Sequence, residues 1–394
     1  MRLIKKIFLF PRIIYFFIPI LIISLLFTNF PSIASEISSI KFIGEVTLPK
    51  NLTFQKTEVG GLSGITYDVK NNLYYAISDD RGQKGNTRFY TLKIDLSKGS
   101  LQKNGVTVVN VTTLLNESGD KFPPSQTDTE GIALTNKGTV FISSEGDVGK
   151  LINPFIKEFS LSSGKEITTL PIPNKFLPDK KGKQGIRNNL AFESLTITPD
   201  EKYLFTATEN ALIQDGSAAQ PKIGSPCRIL QYNLLTNQPE QEFLYQTQPV
   251  APFLNLTGKF ASGLPDIFAL DDGGHFLSLE RSFTGLGFAV SLFQVSLEGA
   301  DDIHNIDSLL AVDSKNIKPV KKKLLLDLRT LDVVLDNIEG LTLGPKLPDG
   351  QRSLILISDN NFNSLQRTKI LAFKIKIETP LIRLLRRLLP NLNR

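Results

Sequence analysis

One pattern, returning five times, constrains this chain more than any other feature. Its clearest copy runs from Thr129-Glu130-Gly131-Ile132-Ala133-Leu134 through the turn Asn136-Lys137-Gly138 to Phe141-Ile142-Ser143-Ser144-Glu145. It reads as two short strands joined by a tight turn, with an acidic residue at each open end. Imperfect copies lie at 61–67 with 75–80, 192–197 with 206–209, 265–270 with 277–280, and 338–343 with 356–359. The anchors Ser63, Glu130, Glu193, Asp266 and Glu339 are 67, 63, 73 and 73 residues apart, room for four short strands and their loops. A unit that repeats at such a period cannot bury its own faces and must stack on its neighbours. An all-β propeller of four-stranded antiparallel blades satisfies that demand while leaving few sheet edges open.

Third strands follow the same register. Residues 88–94, 228–234 and 369–375 each begin with a basic residue and continue with β-prone side chains, and 155–161 and 288–297 take this part in the other units. Five blades are legible, and the longer insertions at 172–190, 248–263 and 298–319 leave room for a sixth. The strand at 40–48 has no hairpin partner nearby, while the last unit has only one further strand after Asp359. The N-terminal strand is therefore expected to complete the last blade and close the ring.

The two ends differ from this body. Residues 1–34 have a basic start, an apolar run from Ile13 to Phe30, and Ser32-Ile33-Ala34 before Ser35, the layout of a secretory signal peptide. The apolar run also approaches the length that spans a bilayer, so an uncleaved N-terminal membrane anchor is the alternative. Either one places the domain expected over 35–377 outside the cytoplasm. In the basic tail, 378–394, Leu381, Leu384, Leu385, Leu388 and Leu389 share one helical face, with arginines mostly opposite. A short helix of that kind either makes peripheral contact with an anionic membrane or packs on the propeller rim. The net charge of +6 belongs to these ends: Arg2, Lys5, Lys6, Arg12, Arg383, Arg386, Arg387 and Arg394 carry eight positive charges, leaving the body near −2. With no basic stripe interleaved with aromatics, a nucleic-acid partner is not expected.

Nucleophile chemistry finds little support. Cys227 is the only cysteine, His275 and His304 are the only histidines, and no Cys-His, Ser-His-Asp, P-loop or zinc spacing is present. The acids are another matter. In an antiparallel hairpin the start of strand one and the end of strand two lie side by side, pairing Glu130 with Glu145, Glu193 with Glu209, Asp266 with Glu280, and Glu339 with Asp359. The first unit departs, with Ser63 opposite Asp79. If these are inner strands, nine carboxylates ring one mouth of the channel, with Asp80 close behind. Like charges so crowded raise one another's pKa unless something positive compensates. Arg81 and Arg281, which follow acidic strand ends, are one source, and a hard divalent cation such as Ca²⁺ is another. Three readings stay open: acids that only bond loop backbone, a metal site, or direct acid–base work.

Taken together, Gly61-Leu62-Ser63-Gly64-Ile65, Ser78-Asp79-Asp80-Arg81-Gly82, Asp128-Thr129-Glu130-Gly131-Ile132, Phe192-Glu193-Ser194-Leu195, Glu280-Arg281-Ser282-Phe283 and Ile338-Glu339-Gly340-Leu341 carry a family resemblance. From about Gly60 to Phe373 the chain resembles exported bacterial proteins with a phytase-like domain, described as "esterase-like activity of phytase". The resemblance implies a β-propeller, ester or phosphoester hydrolysis and, as in related propeller phytases, calcium. The expected protein is then a periplasmic or extracellular hydrolase of a small anionic ester or phosphoester. In it Asp79, Asp80, Glu130, Glu145, Glu193, Glu209, Glu280, Glu339 and Asp359 hold metal or activate water, Glu130, Glu193 and Glu339 foremost in catalysis, and Arg81 and Arg281 orient the substrate. The alternative is a non-catalytic envelope propeller that binds a ligand or protein, any calcium being structural.

Overall fold

Inner strands of this chain are buried on both faces, whereas outer strands alternate or are largely exposed. That gradient runs outward from one axis. The computed structural model describes residues 36–251, 258–285 and 287–378. The expected signal peptide or anchor and the C-terminal amphipathic helix lie outside them. Among the described residues no helix is long and apolar enough to cross a membrane.

The chain begins with β1 (Glu36–Thr47) and a small hairpin, β2 (Thr53–Phe54) and β3 (Thr57–Glu58). The first blade is β4 (Leu62–Asp68), β5 (Leu73–Ser78), β6 (Arg88–Ile94) and β7 (Val106–Thr113). The second is β8 (Thr129–Leu134), β9 (Thr139–Ser144), β10 (Phe155–Ser160) and β11 (Glu166–Leu170). The third is β12 (Thr196–Ile197), β13 (Tyr203–Ala207), β14 (Pro226–Asn233) and β15 (Gln238–Gln246). The fourth is β16 (Ala261–Ala269), β17 (His275–Phe283), β18 (Phe288–Ser296) and β19 (Lys321–Asp327). The fifth contains β20 (Asn337–Lys346), β21 (Arg352–Asp359) and β22 (Lys369–Glu378), and its outer strand is β1, in the order β1-β22-β21-β20. The ring is thus a five-bladed propeller closed by its own N-terminal strand, as the unpaired 40–48 segment predicts. No sixth blade occurs among the described residues.

The repeated dipeptide at the anchor, Ser63-Gly64, Glu130-Gly131 or Glu339-Gly340, has a packing cause. A Cβ on Gly131 would lie 2.8 Å from Leu195 N and 2.9 Å from Glu193 O, and one on Gly340 would lie 2.8 Å from Ser63 O. Glycine lets these three inner strands press their backbone on a neighbouring blade. Side chains stitch the same contacts: Ser63 Oγ donates to Glu130 O at 3.0 Å and Leu341 N donates to Asp266 Oδ2 at 2.8 Å. Core side chains fill the spaces between successive sheets, for example Ile65, Tyr74 and Tyr90 of the first blade against Ile355, Ile357 and Ile370 of the fifth.

The basic residues that open the third strands are structural clamps. Arg228, 0% exposed, donates to both Asp215 oxygens at 2.6 and 2.9 Å and to Glu242 at 2.6 Å. Arg88 pairs with Asp80 and donates to Glu58 O at 3.0 Å, while Lys369 Nζ reaches Val334 O at 2.6 Å and Glu45 at 3.1 Å. Buried charges persist only when paired like this.

Candidate functional site

Strand starts and strand ends meet at one mouth of the ring because every blade runs in the same direction. Asp79, Glu130, Glu193, Glu339, Asp359, Arg81 and Arg281 all line one cavity of about 790 Å³ there. At the far ends of the same inner strands the smaller recess, about 180 Å³, is lined by Thr66, Leu134, Thr196, Phe268 and Leu343 among others, with few charges. Glu145 and Glu209 are buried behind the acidic wall, 2% exposed each.

Three of the expected acids are turned away. Asp80 spends its carboxylate on Arg88 and on Gly82 N, 2.6 Å away. Glu280 accepts from Tyr245 Oη at 2.8 Å, from Gln248 N at 2.7 Å, and from Lys322. In the fourth blade β17 pairs with β18 without interruption from His275 to Phe283, and Arg281 lies opposite Gly263 of β16. Side chains alternate along a strand, so neighbours Glu280 and Arg281 face opposite ways, and it is Arg281 that enters the mouth. Asp266 also leaves the ring of acids, accepting from Leu341 N and its neighbour Ile267 N.

The mouth has two halves. On one, the Arg281 guanidinium of the fourth blade donates to Glu209 of the third at 2.8 Å and to Glu339 and Asn337 of the fifth. Burial works against that charge, but Glu339, Glu209 and Glu193 outweigh it and raise the Arg281 pKa. On the other half Asp79, Asp128 and Glu130 each bring one carboxylate oxygen within 4.8 Å of the others. Asp128 is a residue that strand-end pairing overlooks, because it precedes β8. Arg81 grips Asp128 at 2.6 Å and also donates to Asn189. Among the described residues neither Asp79 nor Glu130 has an ion-pair partner. Asp79 Oδ1 and Glu145 Oε2 are buried with no hydrogen-bond partner among the described residues.

Electrostatics follow from that geometry. Burial, then Asp128 and Asp359, push Asp79 well above the usual carboxylate range. Burial, then Asp79 and Glu193, do the same to Glu130. Glu193 is raised by burial and by Glu145 and Glu209, against a partial pull from Arg281. Burial and Asp128 push Glu145 up to about 8. Such a cluster holds protons, or it holds a cation. The donor set is all hard oxygen, one of its residues carries an orphaned buried carboxylate oxygen, and it fits a hard divalent ion such as Ca²⁺.

Other chemistries do not reach the cavity. Cys227 is fully buried, its thiol pushed up by burial. His275 and His304 are occupied by Asp271 and Asp302, each at 2.9 Å, and neither lines the mouth.

Comparison with known proteins adds the following. The sequence pattern of the family "Phytase-like: Esterase-like activity of phytase" matches residues 57–362. An uncharacterized secreted protein of Arthroderma benhamiae is 26% identical over 141 residues, covering 30% of this chain and 26% of that protein's length. Among solved structures, the endo-arabinase of Bacteroides thetaiotaomicron aligns over 84% of this chain and 98% of its own at 14% identity and a TM-score of 0.43. The periplasmic gluconolactonase PpgL of Pseudomonas aeruginosa aligns over 82% and 90% at 12% identity and a TM-score of 0.34. Both scores are too low to bear on activity.

Proposed function

Because the chain belongs to the phytase-like family described as having the esterase-like activity of phytase, we propose that it is an exported, calcium-assisted hydrolase cleaving an ester or phosphoester at the acidic mouth. The observation that carries this reading is the Asp79, Asp128 and Glu130 cluster, whose buried Asp79 Oδ1 has no partner among the described residues. These three residues would hold the ion, with Glu145 and Asp359 adding negative charge around it. When bound, calcium supplies Lewis-acid polarisation of the ester or phosphoryl oxygen. Glu193, which lines the cavity and whose pKa burial and neighbouring carboxyls raise, takes a proton from the attacking water or gives one to the leaving alcohol. Arg81, whose side chain is 34% exposed, orients the anionic group of the substrate. Resemblance of part of the chain to a secreted protein and the apolar N-terminal segment support export; a periplasmic or extracellular site of action follows from that.

One observation favours a non-catalytic reading. Arg281 is held by Glu209, Glu339 and Asn337, so it serves as a cross-link, and calcium between Asp79 and Glu130 would do the same for the first two blades. Turnover of generic phosphomonoesters and carboxyl esters, with calcium and with chelator, separates the two. Hydrolysis that chelator abolishes and that Asp79→Asn and Glu193→Gln each lower by 100-fold or more supports the enzyme. Calcium binding without turnover leaves the binding propeller.

A further inference from the structure

The side chains around the mouth are sorted by blade. The first three blades give the cavity only polar side chains: Asp79, Arg81, Glu130, Asn189 and Glu193. Every apolar side chain in its lining comes from the fourth and fifth blades and the segment joining them. Phe283 and Phe288, at the paired ends of β17 and β18, pack ring on ring with centroids 5.0 Å apart. Val334 and Leu365 are 80% and 86% exposed although both line the cavity. Both stand on anchored backbone: Val334 O accepts from Lys369 Nζ at 2.6 Å, and Leu365 N donates to Asn363 Oδ1 at 2.9 Å. Single exposed aliphatic residues are ordinary on a protein surface. Four apolar side chains lining one cavity with a ring of carboxyls are the composition of a ligand site.

Resting on the hydrolase reading above, we infer that the substrate is amphiphilic: an ester or phosphoester head at the Asp79, Asp128 and Glu130 cluster, joined to an alkyl or aryl half seated on Phe283, Phe288, Val334 and Leu365. Charge complementarity fixes the orientation. The anionic head goes to the half of the mouth that holds the cation, and the apolar half goes to the wall of four side chains that themselves carry no charge. A polyphosphorylated substrate has no apolar half and would leave that wall wet. It would also need several free cationic side chains, whereas Arg281 is already bound by two carboxylates. Affinity for the apolar half comes from water displaced off these four side chains, so it grows with chain length until the wall is covered.

Full-length protein with calcium is assayed on methyl, butyl and octyl phosphate by phosphate release, and binding of the same three is measured by calorimetry. The expected result is a kcat/KM at least tenfold higher for octyl than for methyl phosphate, with a matching gain in affinity. Val334→Ser combined with Leu365→Ser, two exposed positions whose change leaves the core intact, should cut that octyl-to-methyl ratio at least fivefold. A flat profile with active enzyme, or a ratio the double variant leaves unchanged, overturns the inference and spares the hydrolase. Chain-length-dependent binding without turnover does the reverse. Failure of all three to bind overturns the inference.

Discussion

The two halves of the mouth solve one problem in different ways. Across the third, fourth and fifth blades, carboxyls that converge on the axis are tied together by a cation the chain itself supplies, Arg281 between Glu209 and Glu339. Across the first and second blades the same convergence brings Asp79, Asp128 and Glu130 together, and of these three acids Arg81 pairs only with Asp128. The first half is complete as a piece of structure. The second is complete only with protons or an ion, and that difference separates a cross-link from a site.

The strongest way to test the comparison is to remove the built-in cation. Arg281→Met leaves Glu209 and Glu339 buried without the cation that pairs them, and should lower unfolding free energy by about 3–5 kcal/mol in denaturant titration. Next comes pH, in chelator. Glu145 has a folded pKa of about 8 against an ordinary value of 4.5. The folded state therefore binds its proton more tightly, so this contribution is full below about pH 4.5 and is lost as pH rises towards 8. Stability of the calcium-free protein should fall by about 1 kcal/mol per pH unit across that window. An unchanged melting temperature from pH 5 to 8 would mean that the second half is not short of positive charge. Calcium at 100 times its dissociation constant should then restore about 2.7 kcal/mol. Asp79→Asn should remove most of that gain, read as a lost calcium-dependent shift in melting temperature. The smallest effect belongs to an ion pair outside both halves: Lys374→Ala, which breaks the exposed contact with Asp349, should cost less than about 0.5 kcal/mol.

How far the sequence reached depended on whether one residue of register mattered. Propeller architecture, the closing role of the N-terminal strand and the meeting of Glu130, Glu193 and Glu339 at one mouth were legible, because they need only the order and direction of hairpins. Asp80 and Glu280 were not placed, because they depend on which way a side chain points. Alternation along β17 decides that Arg281 and not Glu280 turns inward, and a one-residue offset in aligning the repeats reverses the face assigned to a side chain. Asp128 sits just outside a strand, where strand pairing gives no guidance. The recurring Arg88, Arg228 and Lys369 marked the third strands correctly as a pattern, yet their purpose as buried clamps appeared only with their partners, Asp215 in a loop and Glu45 on β1. The apolar wall was equally hidden, since Val334 and Leu365 come from separate connections with no periodicity.

The pairing of β1 with β22 also sets a timetable. Glu36 to Thr47 is among the first stretches of this body to be made, yet the partner that satisfies its backbone, Lys369 to Glu378, is among the last. Until that partner arrives, early-made blades can gather but the circle stays open, with an unmatched edge able to capture a neighbouring chain. Closure is thus a contact of very long sequence separation and a slow one. Whatever protects the unfinished ring during synthesis must keep hold of it until the final strand has been delivered.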